Sequence, residues 1–324
     1  MDNLCHTLAG AALGKAGLAS RTRYGMATLM VAANIPDIDV AVFLTDTLPM
    51  SFRRGWTHGI LAQITLPVVL AGVVWAIGKR RGQTADGRRQ TADRDRQAAD
   101  VSFGQLVLLS FVGLYSHIFL DFLNSYGLRL LMPFSNRWFY GDALYIVDPW
   151  LYLLFGGGVW LASRAGKRGA PRPGRAAGVA LVLAAVYTVG MLGSNLWARA
   201  VVRDGLARAG QPETRFMVTP VFVNPFRRDV LIDTGARYEK GQLWFEPAPH
   251  FRPLGYGVDK GFDQPEARAA LATPRARAYL GWSRFPFVVV DRTTAPPRLL
   301  LNDYRYSDQS ARAGWAGLGV QIGE

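Results

Sequence analysis

Long apolar runs alternate with short polar segments over the first 197 residues of the chain. The first run is rich in Ala and Gly, includes Lys15 and is too short to cross a bilayer, so we expect a short packed or re-entrant helix. The others are long enough to cross, which predicts about five spans after that helix. The six runs lie at 7–20, 24–44, 58–78, 104–123, 143–163 and 176–197.

The pattern changes after residue 197, where shorter segments rich in β-branched and aromatic residues replace the long apolar runs. A helical segment with a break at Pro274 lies among them. We therefore expect an α-helical polytopic membrane bundle at 1–197, followed by a small α+β extramembrane domain at 198–324. The predicted strands are RFMVTPVFVN, DVLIDTGARYE, QLWFE, FPFVVVD and RLLLNDYRY.

Composition and charge agree with a membrane protein. Half of the residues are apolar and only 19% are charged, yet the formal charge is +13. Much of that excess lies in short basic loops, and zinc-finger spacing, an RNA-binding aromatic signature and a basic heptad helix are all missing from the sequence. We therefore expect a lipid bilayer as partner and no nucleic acid. Cys5 is the single cysteine, which excludes an intramolecular disulfide.

The basic loops predict an orientation, because Lys and Arg near the ends of spans favour the cytoplasmic side. The strongest candidates are residues 79–97 and 164–175, and both give the same topology. Residues 82–100 are expected to form a polar, flexible loop. With these loops inside, the last span runs outward and the domain at 198–324 is predicted to be extracytoplasmic.

Two polar residues stand near the end of the apolar run SHIFLDFLNSYG. His117 and Asp121 are four residues apart and share one face of a helix. They lie roughly 20 and 26 Å from Gly104, which is the outer third of a hydrocarbon layer of about 30 Å. Because an ionised aspartate at that depth is costly, a partner or a metal ion is expected.

The same orientation brings further polar residues to this outer level, including three of the four histidines. Imidazole and carboxylate groups are the ligands of zinc and similar divalent ions. Such an ion lowers the pKa of water and so produces a hydroxide nucleophile. The candidates besides His117 and Asp121 are His6, Asp37, Asp39, His58, Asp142 and Asp148.

Each candidate also has a purely structural alternative. His117 and Asp121 are compatible with a hydrogen-bonded pair between helices, and His6 with an interfacial residue. The PDID stretch is compatible with a turn whose aspartate caps a helix. Asp142 and Asp148 are compatible with cap and loop residues. A metal site is favoured because the orientation was derived from the basic loops, independently of these residues.

The segment RRGWTHG places Arg53 and Arg54 close to His58, on the side where basic residues are disfavoured. Arginine holds phosphate with two parallel hydrogen bonds, which points to a substrate with an anionic head group. The alternative is that the two arginines anchor the protein to lipid head groups.

The motifs CHTLAGAALG, IPDID, RRGWTHG and SHIFLDFLNSYG followed by LLMPFS resemble the membrane-bound metal-dependent hydrolases of the YdjM-like group, some described as LexA-regulated. The resemblance covers about residues 1–160 and implies a multi-pass protein of the bacterial inner membrane. One departure is Gly59, where the motif usually has Ser, which we expect to affect packing more than ligation. The implied metal-site residues are His6, Asp37, Asp39, His58, His117 and Asp121.

Two functions remain open at this point. The first is a metal-dependent hydrolase, with Zn²⁺ as the favoured ion, acting at the outer face on a lipid-linked or phosphoester substrate. His117 and Asp121 would then be catalytic, and Asp39 or another unligated aspartate would accept the proton. The alternative is a non-catalytic membrane protein with a structural or sensing metal site and a partner-binding exterior domain. Transport is disfavoured by the few spans and missing repeats, and an intramembrane protease by the lack of HExxH.

Overall fold

The chain divides into two compact units in a computed structural model that describes residues 1–86, 101–293, 297–307 and 317–321. The first unit comprises Met1–Ala41 and Arg53–Leu192, and the second Val42–Phe52 and Gly193–Glu324. The predicted flexible loop at 82–100 lies mostly outside the described residues. The described helices are α1 (Asn3–Lys15), α2 (Gly25–Ala32), α3 (Pro49–Phe52), α4 (Ile60–Asp86), α5 (Phe103–Phe122), α6 (Pro149–Lys167), α7 (Arg175–Arg208), α8 (Pro265–Leu271) and α9 (Pro274–Trp282).

Among the described residues, three helices are long and apolar enough to cross a membrane: residues Ile60–Arg81 of α4, all of α5, and α7. A fourth span results if α2 and the 3₁₀ helix Ile35–Leu44, which are bent by 51° relative to each other, form one broken span. The helical membrane region is thus confirmed. Helix α6 forms where 143–163 was predicted, but it begins later and is not among these candidates, so a fifth span stays a prediction.

Small residues pack α2 closely against α1 and α5. A Cβ atom on Gly10 would lie 2.9 Å from the carbonyl oxygen of Leu29, and one on Gly113 would lie 2.6 Å from the Cβ of Ala32. Such close approach is typical of helix packing in membranes. It brings the end of α2 beside the middle of α5, about one turn before His117.

The described strands of the second unit form two antiparallel sheets. The first has the order β1-β2-β3-β4 and the second β5-β6-β7. The five predicted strand segments and the helical segment with its break at Pro274 are all found. The prediction missed β4 and β7. The strands are β1 (Phe216–Pro220), β2 (Arg227–Asp233), β3 (Arg237–Trp244), β4 (His250–Asp259), β5 (Pro286–Asp291), β6 (Arg298–Asp303) and β7 (Leu318–Gln321).

The α+β unit has its own core, as expected. Ala198 and Val202 on the last part of α7 pack against buried side chains of the first sheet. A second cluster includes Tyr238 of β3, Phe287 of β5 and Tyr304 just after β6, all almost fully buried. Strand-forming aromatic residues thus supply much of the buried apolar area.

Asp303 at the end of β6 is buried with all its hydrogen bonds satisfied. Its Oδ2 accepts hydrogen bonds from the hydroxyl of Ser283 at 2.5 Å and the backbone N–H of Arg284 at 2.9 Å. The Arg305 guanidinium donates to both carboxylate oxygens at 2.9 Å. Burial alone would raise the pKa of Asp303, but the charge of Arg305 and these hydrogen bonds hold it below the ordinary value.

We expect Asp303→Asn to destabilise the second unit by roughly 3 kcal/mol at neutral pH, because it leaves Arg305 as a buried charge without its partner. The lowered pKa means that wild type loses this stabilisation as pH falls from the ordinary aspartate value near 4 through the lower folded value. Urea unfolding, monitored by tryptophan fluorescence, should show that the free energy of unfolding of wild type falls in this acid range, and that it falls less in the variant. An equal dependence of the free energy of unfolding on pH in the two proteins would contradict this prediction.

Candidate metal centre

Four buried side chains from three parts of the membrane unit converge on one point. Asp37 comes from the 3₁₀ helix after α2, His58 from the segment just before α4, and His117 and Asp121 from α5. One nitrogen or oxygen atom of each lies within 4.8 Å of the others. The sequence predicted all four as metal-site residues, and the fold brings them together.

The distances among the atoms of His58, His117 and Asp121 are close to those around a single ion, and Asp37 lies about half an ångström further out. His58 Nε2 and His117 Nε2 are 3.2 Å apart, and Asp121 Oδ2 lies 3.1 Å from His117 Nε2 and 3.5 Å from His58 Nε2. Asp37 Oδ1 is 3.8 and 3.9 Å from the same two nitrogens. Ligands bound tetrahedrally at about 2.0–2.1 Å are separated by roughly 3.3 Å.

Asp37 supplies a direct test of whether these residues fit a cation. Its Oδ1 is buried and has no hydrogen-bond partner among the described residues, although it faces two imidazole nitrogens. A buried carboxylate oxygen without a partner is costly, and a cation at the centre of the four atoms would satisfy it. The cluster therefore fits a divalent ion that accepts nitrogen and oxygen ligands.

Outer contacts orient the two imidazoles. His117 Nδ1 lies 2.8 Å from the carbonyl oxygen of Ala33, so Nδ1 carries the proton and Nε2 faces the cluster with its lone pair. His58 Nδ1 lies 3.0 Å from the hydroxyl of Thr57 and 3.5 Å from Asp39 Oδ2. These are the partners that fix the tautomer and ring orientation of metal-binding histidines.

Asp39 lies behind His58, outside the group of four. Its Oδ2 accepts hydrogen bonds from the backbone N–H of Arg54 at 2.7 Å and from Thr57 Oγ1 at 3.2 Å. Its Oδ1 accepts one from Arg53 Nε at 3.2 Å. These contacts favour a role in orienting His58, and the predicted roles of Asp39 as ligand and proton acceptor stay predictions.

His6 on α1 also reaches the cluster but does not belong to the group of four. Its Nε2 lies 3.3 Å from Asp121 Oδ1, which also contacts the amino group of Met1. The ring stacks on His117 with centroids 3.9 Å apart. Its Nδ1 is buried and has no hydrogen-bond partner among the described residues. His6 is therefore available as a further ligand or as a proton acceptor.

The two arginines predicted to bind substrate lie directly beside the cluster. Arg54 is buried, forms an ion pair with Asp121 Oδ2 and lies over the ring of Tyr126 at 5.4 Å. Arg53 is partly exposed and lies 3.9 Å from Asp37 Oδ1. The site thus combines carboxylates, imidazoles and two permanent positive charges.

Sequence reasoning missed one basic residue at this site, Arg129. It is 6% exposed, and its guanidinium donates to the carbonyl oxygen of Arg53 at 3.2 Å. A Cβ atom on Gly55 would lie only 2.4 Å from it, so the bend at Gly55 leaves room for this arginine. The signal that singled out Arg53 and Arg54, a basic residue at the predicted outer level, applies equally to Arg129.

Asp142 and Asp148 are not brought into the group of four. Asp148 is the N-cap of α6, where Oδ1 accepts from the backbone N–H groups of Trp150 and Leu151 at 3.1 and 3.2 Å. Its Oδ2 accepts a hydrogen bond from Tyr187 at 2.9 Å. Asp142 is buried, with a positive φ of 53°, in the segment after α5. The capping alternative considered for Asp148 describes its contacts.

The glycine that departs from the usual motif, Gly59, packs against the backbone. A Cβ atom there would lie 2.4 Å from the carbonyl oxygen of Met132. We expect Gly59→Ser to lower stability by roughly 1–3 kcal/mol, because the backbone at Met132 must move. Thermal unfolding of wild type and variant in detergent measures this, with Gly72→Ser, at a position with open space around the Cβ, as control. Equal melting temperatures for Gly59→Ser and Gly72→Ser would contradict it.

Comparison with known proteins agrees with the features of the membrane unit. The family described as "YdjM inner membrane protein" matches residues 1–198. The uncharacterized protein YfhP of Bacillus subtilis (strain 168) is 23% identical over 164 residues, which cover 47% of this chain and 43% of that protein. The chain therefore aligns with less than half the length of that relative. No solved structure matches the chain.

Proposed function

We propose that this chain, which belongs to the YdjM inner membrane protein family, is a metal-dependent hydrolase that cleaves a phosphoester of an amphiphilic or lipid-linked substrate. One observation carries the proposal. Two imidazole nitrogens and two carboxylate oxygens, all buried, lie within 4.8 Å of one another beside a buried arginine. A purely structural network has no need to leave Asp37 Oδ1 without a hydrogen-bond partner among the described residues.

The four side chains would hold the ion, with Zn²⁺ favoured by the mixture of imidazole and carboxylate ligands. A divalent ion bound there would act as a Lewis acid and lower the pKa of water towards neutrality. Ala33 and Thr57 keep the lone pairs of His117 and His58 directed at the cluster. Asp39 lies behind His58 and holds Arg53 in place through an ion pair at 3.2 Å.

The arginines explain the choice of a phosphoester. Arg54 is held against Asp121, one of the four ligand residues, so its guanidinium lies where a phosphate oxygen would approach the reacting centre. Arg53 adds a second, more exposed charge on the side of Asp37. Together they would neutralise the substrate and stabilise negative charge that develops during hydrolysis.

His6 is the group best placed to accept a proton. Both oxygens of Asp39 accept hydrogen bonds, whereas His6 Nδ1 has no such partner among the described residues. The ring of His6 stacks on His117 and contacts Asp121, so it lies at the edge of the reacting centre. In this proposal His6 exchanges the proton and Asp39 is a positioning residue.

The orientation from the basic loops would put this site and the α+β unit on the outer side of the inner membrane, where lipid-linked substrates are accessible. The alternative function, a non-catalytic protein with a sensing or structural metal site, is supported by one observation. All four ligand residues are at most 3% exposed, which is typical of a closed site. A catalytic metal site keeps one coordination position open for water or substrate, whereas a structural site does not, so this feature distinguishes the two functions.

Removal and return of the metal tests the proposal. Detergent-purified protein should cleave bis(p-nitrophenyl) phosphate and long-chain p-nitrophenyl phosphodiesters, lose that activity after treatment with a chelator, and regain it with Zn²⁺ or another divalent ion. Chelated protein without added metal is the control. If the protein binds the metal stoichiometrically but cleaves none of these esters, the hydrolase function is contradicted and the sensing or structural alternative is favoured.

A further inference from the structure

We propose that the membrane unit has a second binding site, separate from the metal cluster, which holds one anionic phospholipid at the turn between α6 and α7. The site consists of two apolar grooves on either side of Arg172 and Arg175. The first, of about 810 Å³, lies between α7 and the end of α1, and the second, of about 550 Å³, lies between α6 and α7. The proposal does not depend on the hydrolase function.

The charges at this site fit a phosphate group. Lys15, Arg172 and Arg175 line the first groove, and the two arginines also line the second. Among the described residues, no acidic side chain lines either groove. In the part of the chain that the structure describes, none of the three basic residues forms an ion pair. Basic pockets between membrane helices at the cytoplasmic side are suited to anionic head groups.

The depth of the grooves favours a lipid over a soluble anion. Arg175 begins the candidate span of α7, so its charge lies where apolar helix meets water. Val179 and Leu183 line both grooves four and eight residues further on, roughly 6 and 12 Å deeper along the helix. The basic groups are therefore at head-group level and the apolar walls at the level of acyl chains.

Two grooves that share one pair of arginines match the form of a diacyl phospholipid. The arginines would bind its one phosphate, and each groove would hold one of its two acyl chains. Val179 and Leu183 separate the grooves, and both side chains are about half exposed. Gly178 widens the first groove, because a Cβ atom there would meet no atom within 4 Å. Under the predicted orientation, in which 164–175 is cytoplasmic, the lipid belongs to the inner leaflet.

Lipid titration followed by native mass spectrometry tests the charges. Full-length protein in detergent is titrated with phosphatidylglycerol, and with phosphatidylcholine for comparison. We expect tighter binding of phosphatidylglycerol, and a roughly tenfold to thirtyfold loss of affinity in R172Q/R175Q. The matched control K167Q/R168Q removes two charges from the same loop but outside both grooves, and it should stay close to wild type. Equal losses in both double variants would overturn the proposal.

A second variant tests the acyl groove. The Cβ atom of Gly178→Leu meets no atom within 4 Å, and its side chain would occupy part of the first groove, so the variant should weaken phosphatidylglycerol binding about tenfold. Gly190→Leu, at another position of α7 with open space, is the control. Inorganic phosphate at millimolar concentration should fail to displace the lipid. Displacement by phosphate, or no effect of Gly178→Leu in a variant that melts like wild type, would identify a free-anion site and overturn the lipid proposal.

Discussion

Replacing His117 by alanine should lower kcat/KM for phosphoester hydrolysis by at least about 10³-fold, while the protein stays folded. The substitution removes one of the four ligand atoms and with it the charge stabilisation of several kcal/mol that a metal ion contributes to such reactions. Steady-state hydrolysis in detergent measures the loss.

The control for this substitution is His250→Ala, which removes the histidine of the second unit and leaves the cluster intact. Loss of the His117 ring also leaves the carbonyl oxygen of Ala33 without its partner, which costs roughly 1–3 kcal/mol. The melting temperature of both variants must therefore be recorded. A folded His117→Ala protein that hydrolyses at the wild-type rate would contradict the assignment of this residue.

Arg54→Gln should separate substrate binding from metal binding. We expect hydrolysis to fall roughly 10²- to 10³-fold, the usual effect of losing one group that stabilises transition-state charge, with metal content unchanged. Since Arg54 is the buried ion-pair partner of Asp121, the variant should also melt at a lower temperature when metal is removed. Bound metal should restore much of that stability by neutralising Asp121.

The matched control is Arg53→Gln, which removes a partly exposed arginine whose neighbour Asp39 keeps other partners. Its effect on hydrolysis should be smaller than that of Arg54→Gln. Metal analysis and activity are measured on the same preparations. If Arg54→Gln lost metal and activity in parallel, Arg54 would be needed to build the site, and its assignment to the substrate phosphate would be wrong.

The sequence predicted the convergence at the site but not the separate positions of its residues. The basic loops placed all six implied metal-site residues at the outer level, and the fold brings four of them together: Asp37, His58, His117 and Asp121. Asp39 could not be separated from Asp37 beforehand, because the sequence pattern does not say which of two aspartates two residues apart faces the bundle. In the 3₁₀ helix that forms, the two side chains point in different directions, and Asp37 is the one that faces the cluster.

Other features were missed where local pattern carries little information. Arg129 lies between α5 and α6, in a segment without hydrophobic periodicity, so its contact with Arg53 arises only from tertiary folding. β4 includes Pro253, Gly255 and Gly257, which are typical of turns, and it pairs with β3 across a shift in register. In both places the partner, not the local sequence, determines the structure.

The amount of divalent metal bound per chain is the most direct test of the cluster. Detergent-purified wild type, His58→Ala, His117→Ala and the control His250→Ala should be compared by elemental mass spectrometry after identical desalting. We predict at least one divalent ion per chain in wild type and in His250→Ala, and little or none in His58→Ala and His117→Ala. Wild type without metal, or equal metal in all four proteins, would contradict a metal site at Asp37, His58, His117 and Asp121.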